Sequence, residues 1–116
     1  MSMMAAVLVA IVALLHLGFL VLEMFYWDHP VGRRIFRTDA QFSARSATLA
    51  ANQGLYNGFL AGGLVWSIIG GREDVAIFFL ACVIIAGVYG GISVKRSILY
   101  MQAAPAAAAL VAVLLT

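Results

Sequence analysis

Charge is what this chain has least of: Asp, Glu, Lys and Arg together make up 10% of its 116 residues. Soluble domains carry about 25%, so an ordinary water-soluble globular fold is excluded. Cysteine is almost missing too. The single residue, Cys82, rules out an intrachain disulfide and a cysteine-rich metal site, and reads as a small packing residue in an apolar helix. No Lys or Arg precedes Arg33, so the positive n-region of a cleaved secretory signal is lacking. The first apolar run, 3–27, is also too long for a signal h-region and reads as a first membrane span. The net charge of +2 and a pI near 9.0 do not point to nucleic acid, because the charges sit in short connections and form no continuous face. No nucleophile motif is present, and one His with one Glu is too sparse for a metal centre. Neither metal nor redox cofactor is expected.

What is present is hydrocarbon. Hydrophobic residues make up 65% of the chain, and the mean hydropathy is +1.05. About 20 apolar residues cross a bilayer core of roughly 30 Å, and four runs qualify: 3–27, 46–69, 75–94 and 97–116. Between them lie "DHPVGRRIFRTDAQFSAR", "GGRED" and "KRS". The last break is short enough to demand a tight antiparallel hairpin. Helices are expected because a membrane leaves no backbone group unsatisfied, and the runs are too long and uniform for barrel strands. The fold class expected is an all-α membrane protein, a single domain forming a four-transmembrane-helix bundle. Arg33, Arg34, Arg37, Arg45, Lys95 and Arg96 fall on one side of it, and only Arg72 on the other. The positive-inside rule then makes both termini extracytoplasmic. In the first connection Ile35, Phe36 and Phe42 interleave with arginines. This suits an amphipathic turn or short helix on the membrane surface, although an ordinary topological anchor explains the same residues and is preferred.

The polar residues inside these runs are the candidate site. His16 and Glu23, seven apart, share a helical face that Trp27 extends toward the interface. Asn52, Gln53, Tyr56 and Asn57 occupy an arc of about 140° on the second run. Ala47, Ala51, Gly54, Gly58 and Gly62 form a small-xxx-small stripe on the opposite side, suited to close helix packing. Tyr89 and Gln102 lie at comparable depth. Pro105 cannot donate to the carbonyl of Met101 and is expected to distort the last helix. Two readings stand open. The amides bond helices together, or they and Glu23 line a cytoplasm-facing pocket; an intramembrane carboxylate is a functional candidate by default.

The segments "HLGFLVLEMFYW" at 16–27, "NQGLYNGFLAGG" at 52–63, "AGVYGG" at 86–91 and "QAAPAAAAL" at 102–110 resemble the domain-of-unknown-function 1304 family. These are small four-helix bacterial membrane proteins. The resemblance covers nearly the whole chain and implies a multi-pass location in the bacterial inner membrane. It singles out His16, Glu23, Trp27, Asn52, Gln53, Gly54, Asn57, Gly58, Tyr89, Gly90, Gln102 and Pro105, and implies no activity. Three functions remain. In an enzyme Glu23 and His16 would be the catalytic acid–base groups. Asn52, Gln53, Tyr56, Asn57, Tyr89, Gln102 and Trp27 would bind the substrate, a lipophilic or amphiphilic small molecule undergoing isomerisation, cyclisation or hydrolysis. A proton-coupled transporter or channel would resemble the small multidrug-resistance pumps, but Glu23 lies near a helix end and the charge bias fixes one orientation. An accessory subunit of a membrane complex needs only small size and glycine stripes. The expected partners are the bilayer and the small molecule, with no nucleic acid; a homo-oligomer is left open.

Overall fold

A computed structural model describes residues 1–116, which are helical and contain no strand. Five helical segments follow in order: α1 (Met3–Phe25), α2 (Pro30–Phe36), α3 (Ala40–Ile69), α4 (Glu73–Ser93) and α5 (Arg96–Leu114). Of these, α1, α4 and α5 are long and apolar enough to cross a membrane. α3 is longer than any of them but carries serines, amides and Arg45, so three helices rather than four meet that description. It also begins six residues before the expected run, at Ala40 instead of 46.

Local chemistry sets the boundaries. Ser2 Oγ accepts from the amide of Ala5 at 3.1 Å and starts α1, as a hydroxyl cap does. α2 opens with His29, whose Nδ1 accepts from Val31 N–H, and has Pro30 at its first position, where a missing donor does no harm. It closes on Arg37 in the left-handed region (φ 57°, ψ 47°). Asp39 Oδ1 then accepts from Phe42 N–H at 2.8 Å and caps α3. Beyond Ile69 the chain turns through Gly71, with φ +62°. There Gly71 N–H reaches the Ile68 carbonyl and Arg72 N–H reaches that of Ser67, the paired bonds of a Schellman cap. Glu73 and Asp74 fill the first turn of α4, the end where acidic side chains complement the helix dipole.

By contacts the chain divides into two compact units, Met1–Leu14 with Leu60–Thr116, and Leu15–Phe59. The first holds an apolar core built of small and medium residues. Val9 and Val12 from α1, Leu64 from α3, Leu80 and Val83 from α4, and Ala106, Ala109 and Val113 from α5 are all buried. Within it α4 and α5 pack as the hairpin that the short "KRS" break requires. A Cβ on Gly87 would stand 2.7 Å from the Ala103 nitrogen, and one on Gly91 would stand 2.9 Å from Leu99 Cβ. Only glycine admits so close an approach. The distortion expected from Pro105 takes a specific form: residues Leu99–Ala103 wind as a π-helical turn, and Ala104 N–H bonds to the Leu99 carbonyl. A wider turn relieves the clash of the proline ring with the carbonyl four residues back.

The second unit comprises residues 15–25 of α1, all of α2 and residues 40–59 of α3. Trp27 is its organising side chain. Its Nε1 donates to Ser46 Oγ at 3.0 Å, its carbonyl accepts from Ser43 Oγ at 2.9 Å, and its ring packs on Phe36 at 4.8 Å. Gly32 is buried where any Cβ would overlap the Tyr26 carbonyl, which draws α2 tightly under the end of α1. Arg33 Nη1 donates to Asp28 Oδ1 at 2.8 Å. The first connection thus contains a short folded helix with its own contacts, the form expected of an amphipathic turn or short helix, and this is compatible with its arginines serving as a topological anchor.

Candidate functional site

The second unit brings together a carboxylate and an amide from two helices. Asn57 Nδ2 donates to Glu23 Oε1 at 2.5 Å. Glu23 sits two residues before the end of α1 and is half-buried, while Asn57 is buried on α3. Glycines allow the helices to approach this closely. A Cβ on Gly54 would lie 2.8 Å from Met24 Cγ, 3.1 Å from Glu23 Cβ and 3.2 Å from the Leu20 carbonyl oxygen. At Gly58 it would meet Leu20 Cδ1 at 2.6 Å. The glycine stripe thus abuts the carboxylate helix directly, as far as Gly58. Gly62 has nothing within 4 Å and is not part of that contact.

His16 is fully buried two turns up α1, with its ring edge-on to Phe19 at 5.2 Å. By helix rise it lies about 10 Å from Glu23 along the axis, too far for direct proton transfer. Trp27, two residues past the end of α1, is fixed by its bond to Ser46. Ser43 is completely buried beneath it. The sequence reading did not single out either serine. Their spacing of three along the start of α3 was the available signal, since it sets both hydroxyls on one side of the helix.

Residues 10–114 match the family described as "Protein of unknown function (DUF1304)". The chain belongs to this family. Among its relatives, the "Uncharacterized protein YpaA" of Lactococcus lactis subsp. lactis (strain IL1403) is 28% identical over 115 residues. That alignment covers 96% of this chain and 97% of the relative. No solved structure matches.

In this DUF1304 chain the remaining expected site residues are distributed differently from the Glu23–Asn57 pair. Asn52, Gln53 and Tyr56 are exposed on α3, and the Tyr56 ring stands edge-on to Phe59 at 6.0 Å. Tyr89 and Gln102 belong to the other unit. Tyr89 is 73% exposed on α4. Gln102 is half-buried in the π-helical turn of α5, where its Cβ lies 3.0 Å from the position of a Cβ on Gly87. No group of three or more His, Cys, Asp or Glu residues is placed to hold a metal ion. What the arrangement offers chemically is one carboxyl group with one oxygen held by an amide donor. A buried imidazole stands on the same helix, and an indole ties down the adjoining chain.

Proposed function

We propose that this DUF1304 chain is a four-span membrane protein with both termini extracytoplasmic. Glu23 would act there as an acid–base group on a lipophilic or amphiphilic small molecule reached from the cytoplasmic leaflet. α3 serves as the fourth span: its 30 residues extend roughly 45 Å, more than the hydrocarbon core requires. Six of the seven basic residues then share the cytoplasmic side.

The observation that carries the chemical reading is the Asn57–Glu23 hydrogen bond. With Asn57 holding Oε1, the carboxyl group is oriented and Oε2 is left to exchange a proton with a substrate. A carboxyl group inside a membrane is expensive to maintain without a use, and leucine would pack against Gly54 and Gly58 at less cost. His16 supplies a second proton-carrying group deeper in the same helix. Isomerisation, cyclisation and hydrolysis all proceed by such proton transfers, and the last needs only water besides.

The test uses the full chain in nanodiscs made with bacterial membrane lipid extract, with products followed by mass spectrometry. The parent should convert a lipophilic species, and Glu23→Gln should bind that species without converting it. Equal conversion by Glu23→Gln would overturn the acid–base role. Proton-driven movement of the same molecule across sealed vesicles, chemically unchanged, would replace catalysis by transport. A reporter fused at Thr116 that is active only in the cytoplasm would reverse the proposed orientation.

A further inference from the structure

The exposed polar face of α3 is not used by the Glu23–Asn57 pair. Exposed apolar side chains are normal on a helix that faces lipid, so Leu49, Tyr56 and Phe59, at 77%, 58% and 57% exposure, are unremarked by themselves. The amides among them are not. Asn52 and Gln53 are exposed, and Asn52 lies seven residues beyond Arg45, roughly 10 Å deeper along the helix. With Arg45 at the interface, that depth sets the Asn52 amide inside the hydrocarbon. Hydrocarbon around a primary amide leaves two donors and an acceptor unsatisfied, a penalty of several kcal/mol. Something polar must therefore cover this face.

We propose that the cover is a second copy of this chain, packed α3 against α3 along the line Leu49, Asn52, Tyr56 and Phe59. The proposal rests on the reading of α3 as a membrane span with one fixed orientation. Copies that share an orientation relate by a two-fold axis along the membrane normal, which sets each residue opposite itself at the same depth. Asn52 then meets Asn52 of the second copy. A primary amide is donor and acceptor at once, so an Asn–Asn pair satisfies itself by two reciprocal bonds. A carboxylate or a lysine at that position would repel its symmetry mate. The spacing of three, four and three between residues 49, 52, 56 and 59 keeps the apolar side chains on one seam. An amide set in an apolar seam is also the device that fixes register and copy number in paired helices.

The experiment uses the full chain carrying Cys82→Ser, so that introduced cysteines report alone. Under oxidation in native membranes, Leu49→Cys should form a disulfide-linked dimer, while Phe78→Cys on the exposed face of α4 should not. In detergent, sedimentation should show a dimer whose dissociation constant rises about tenfold in Asn52→Leu, with Asn52→Gln recovering much of the loss. Cross-linking at 49 no greater than at 78, or equal dimerisation by Asn52→Leu, would remove the seam. Loss of a bound amphiphile from a monomer in Asn52→Leu, detected by native mass spectrometry, would overturn the dimer in favour of a ligand. Labelling of Asn52→Cys by a membrane-impermeant maleimide separates the two premises. Rapid labelling without a cross-link means that α3 does not span. No labelling and no cross-link means that it spans without pairing.

Discussion

If the Glu23–Asn57 pair is kept for chemistry, removing both partners should harm the fold less than removing one. Asn57→Leu preserves the size of a buried side chain and deletes the donor to Glu23 Oε1. The carboxyl group then loses a bond worth about 1.5–3 kcal/mol if it is charged and about 1 if it is neutral. It also stays half-buried with nothing in the donor's place, since Gly54 and Gly58 hold the helices together around it. A loss of about 2 kcal/mol is the central expectation. Glu23→Met alone strands the Asn57 amide in the same way, at about 1–3 kcal/mol. The double variant leaves two apolar side chains of matching shape in one interface, and replacing both partners in this way is nearly neutral. The coupling in the cycle should then be about 3–5 kcal/mol, in favour of the double variant. Reversible unfolding of the four proteins in one detergent measures all three differences. The reasoning fails if the double variant is as unstable as the two single losses added together, because the polar groups would then not depend on one another. Stability of the double variant close to the parent's, together with loss of turnover, would mark a pair retained for function.

Two further outcomes follow from the packing. Gly87→Ala sets a methyl group against the Ala103 backbone nitrogen, which cannot rotate away, and should destabilise the α4–α5 hairpin by about 1–3 kcal/mol. Gly62→Ala, with open space around it, should be neutral or stabilise α3 by up to about 1 kcal/mol. Thermal unfolding of both variants checks the contrast, and the opposite order would refute the packing described. Trp27→Phe keeps the ring against Phe36 but removes the donor to Ser46. It should cost about 1 kcal/mol and speed amide exchange in α2 more than in α4; equal exchange in both would deny Trp27 its role in fastening that helix.

Much of the helical architecture was legible because membrane-like composition restricts the choices so strongly. The apolar runs gave α1, α4 and α5 to within a few residues, since a long uncharged stretch ended by a charge or a glycine has few alternatives to a helix. The start of α3 was not legible from hydropathy. Residues 40–45 contain Gln41, Ser43 and Arg45 and look like loop, yet Asp39 caps them into the helix. Capping is local hydrogen-bond chemistry, which an average over twenty residues does not register. α2 was obscured for a related reason: seven residues with two arginines carry little periodic signal. Its position depends on Gly32 fitting under Tyr26 and on Phe36 meeting Trp27, contacts that exist only once the chain has turned back.

The polar arc of α3 shows where a single sequence stops being decisive. Counting about 100° per residue, Asn52 and Tyr56 stand roughly 160° from Gly54, but Asn57 stands only about 60° away. The arc of amides and the stripe of small residues therefore looked like two separate faces. The contact with α1 lies across the gap between them: Gly54 meets Leu20, Glu23 and Met24, Gly58 meets Leu20, and Asn57 bonds to Glu23. Asn57, at the edge of the polar arc nearest the glycines, is turned onto the carboxylate helix, and its neighbours at 52, 53 and 56 are turned away. Sequence supplied the angular positions of these side chains but not the azimuth at which the neighbouring helix arrives. That azimuth follows from how far Gly54 and Gly58 let Leu20 and Met24 approach. One amide therefore meets Glu23, and the others remain available for whatever covers the outer face of α3. Shifting the approach of α1 by one residue position around α3 would be enough to exchange those roles.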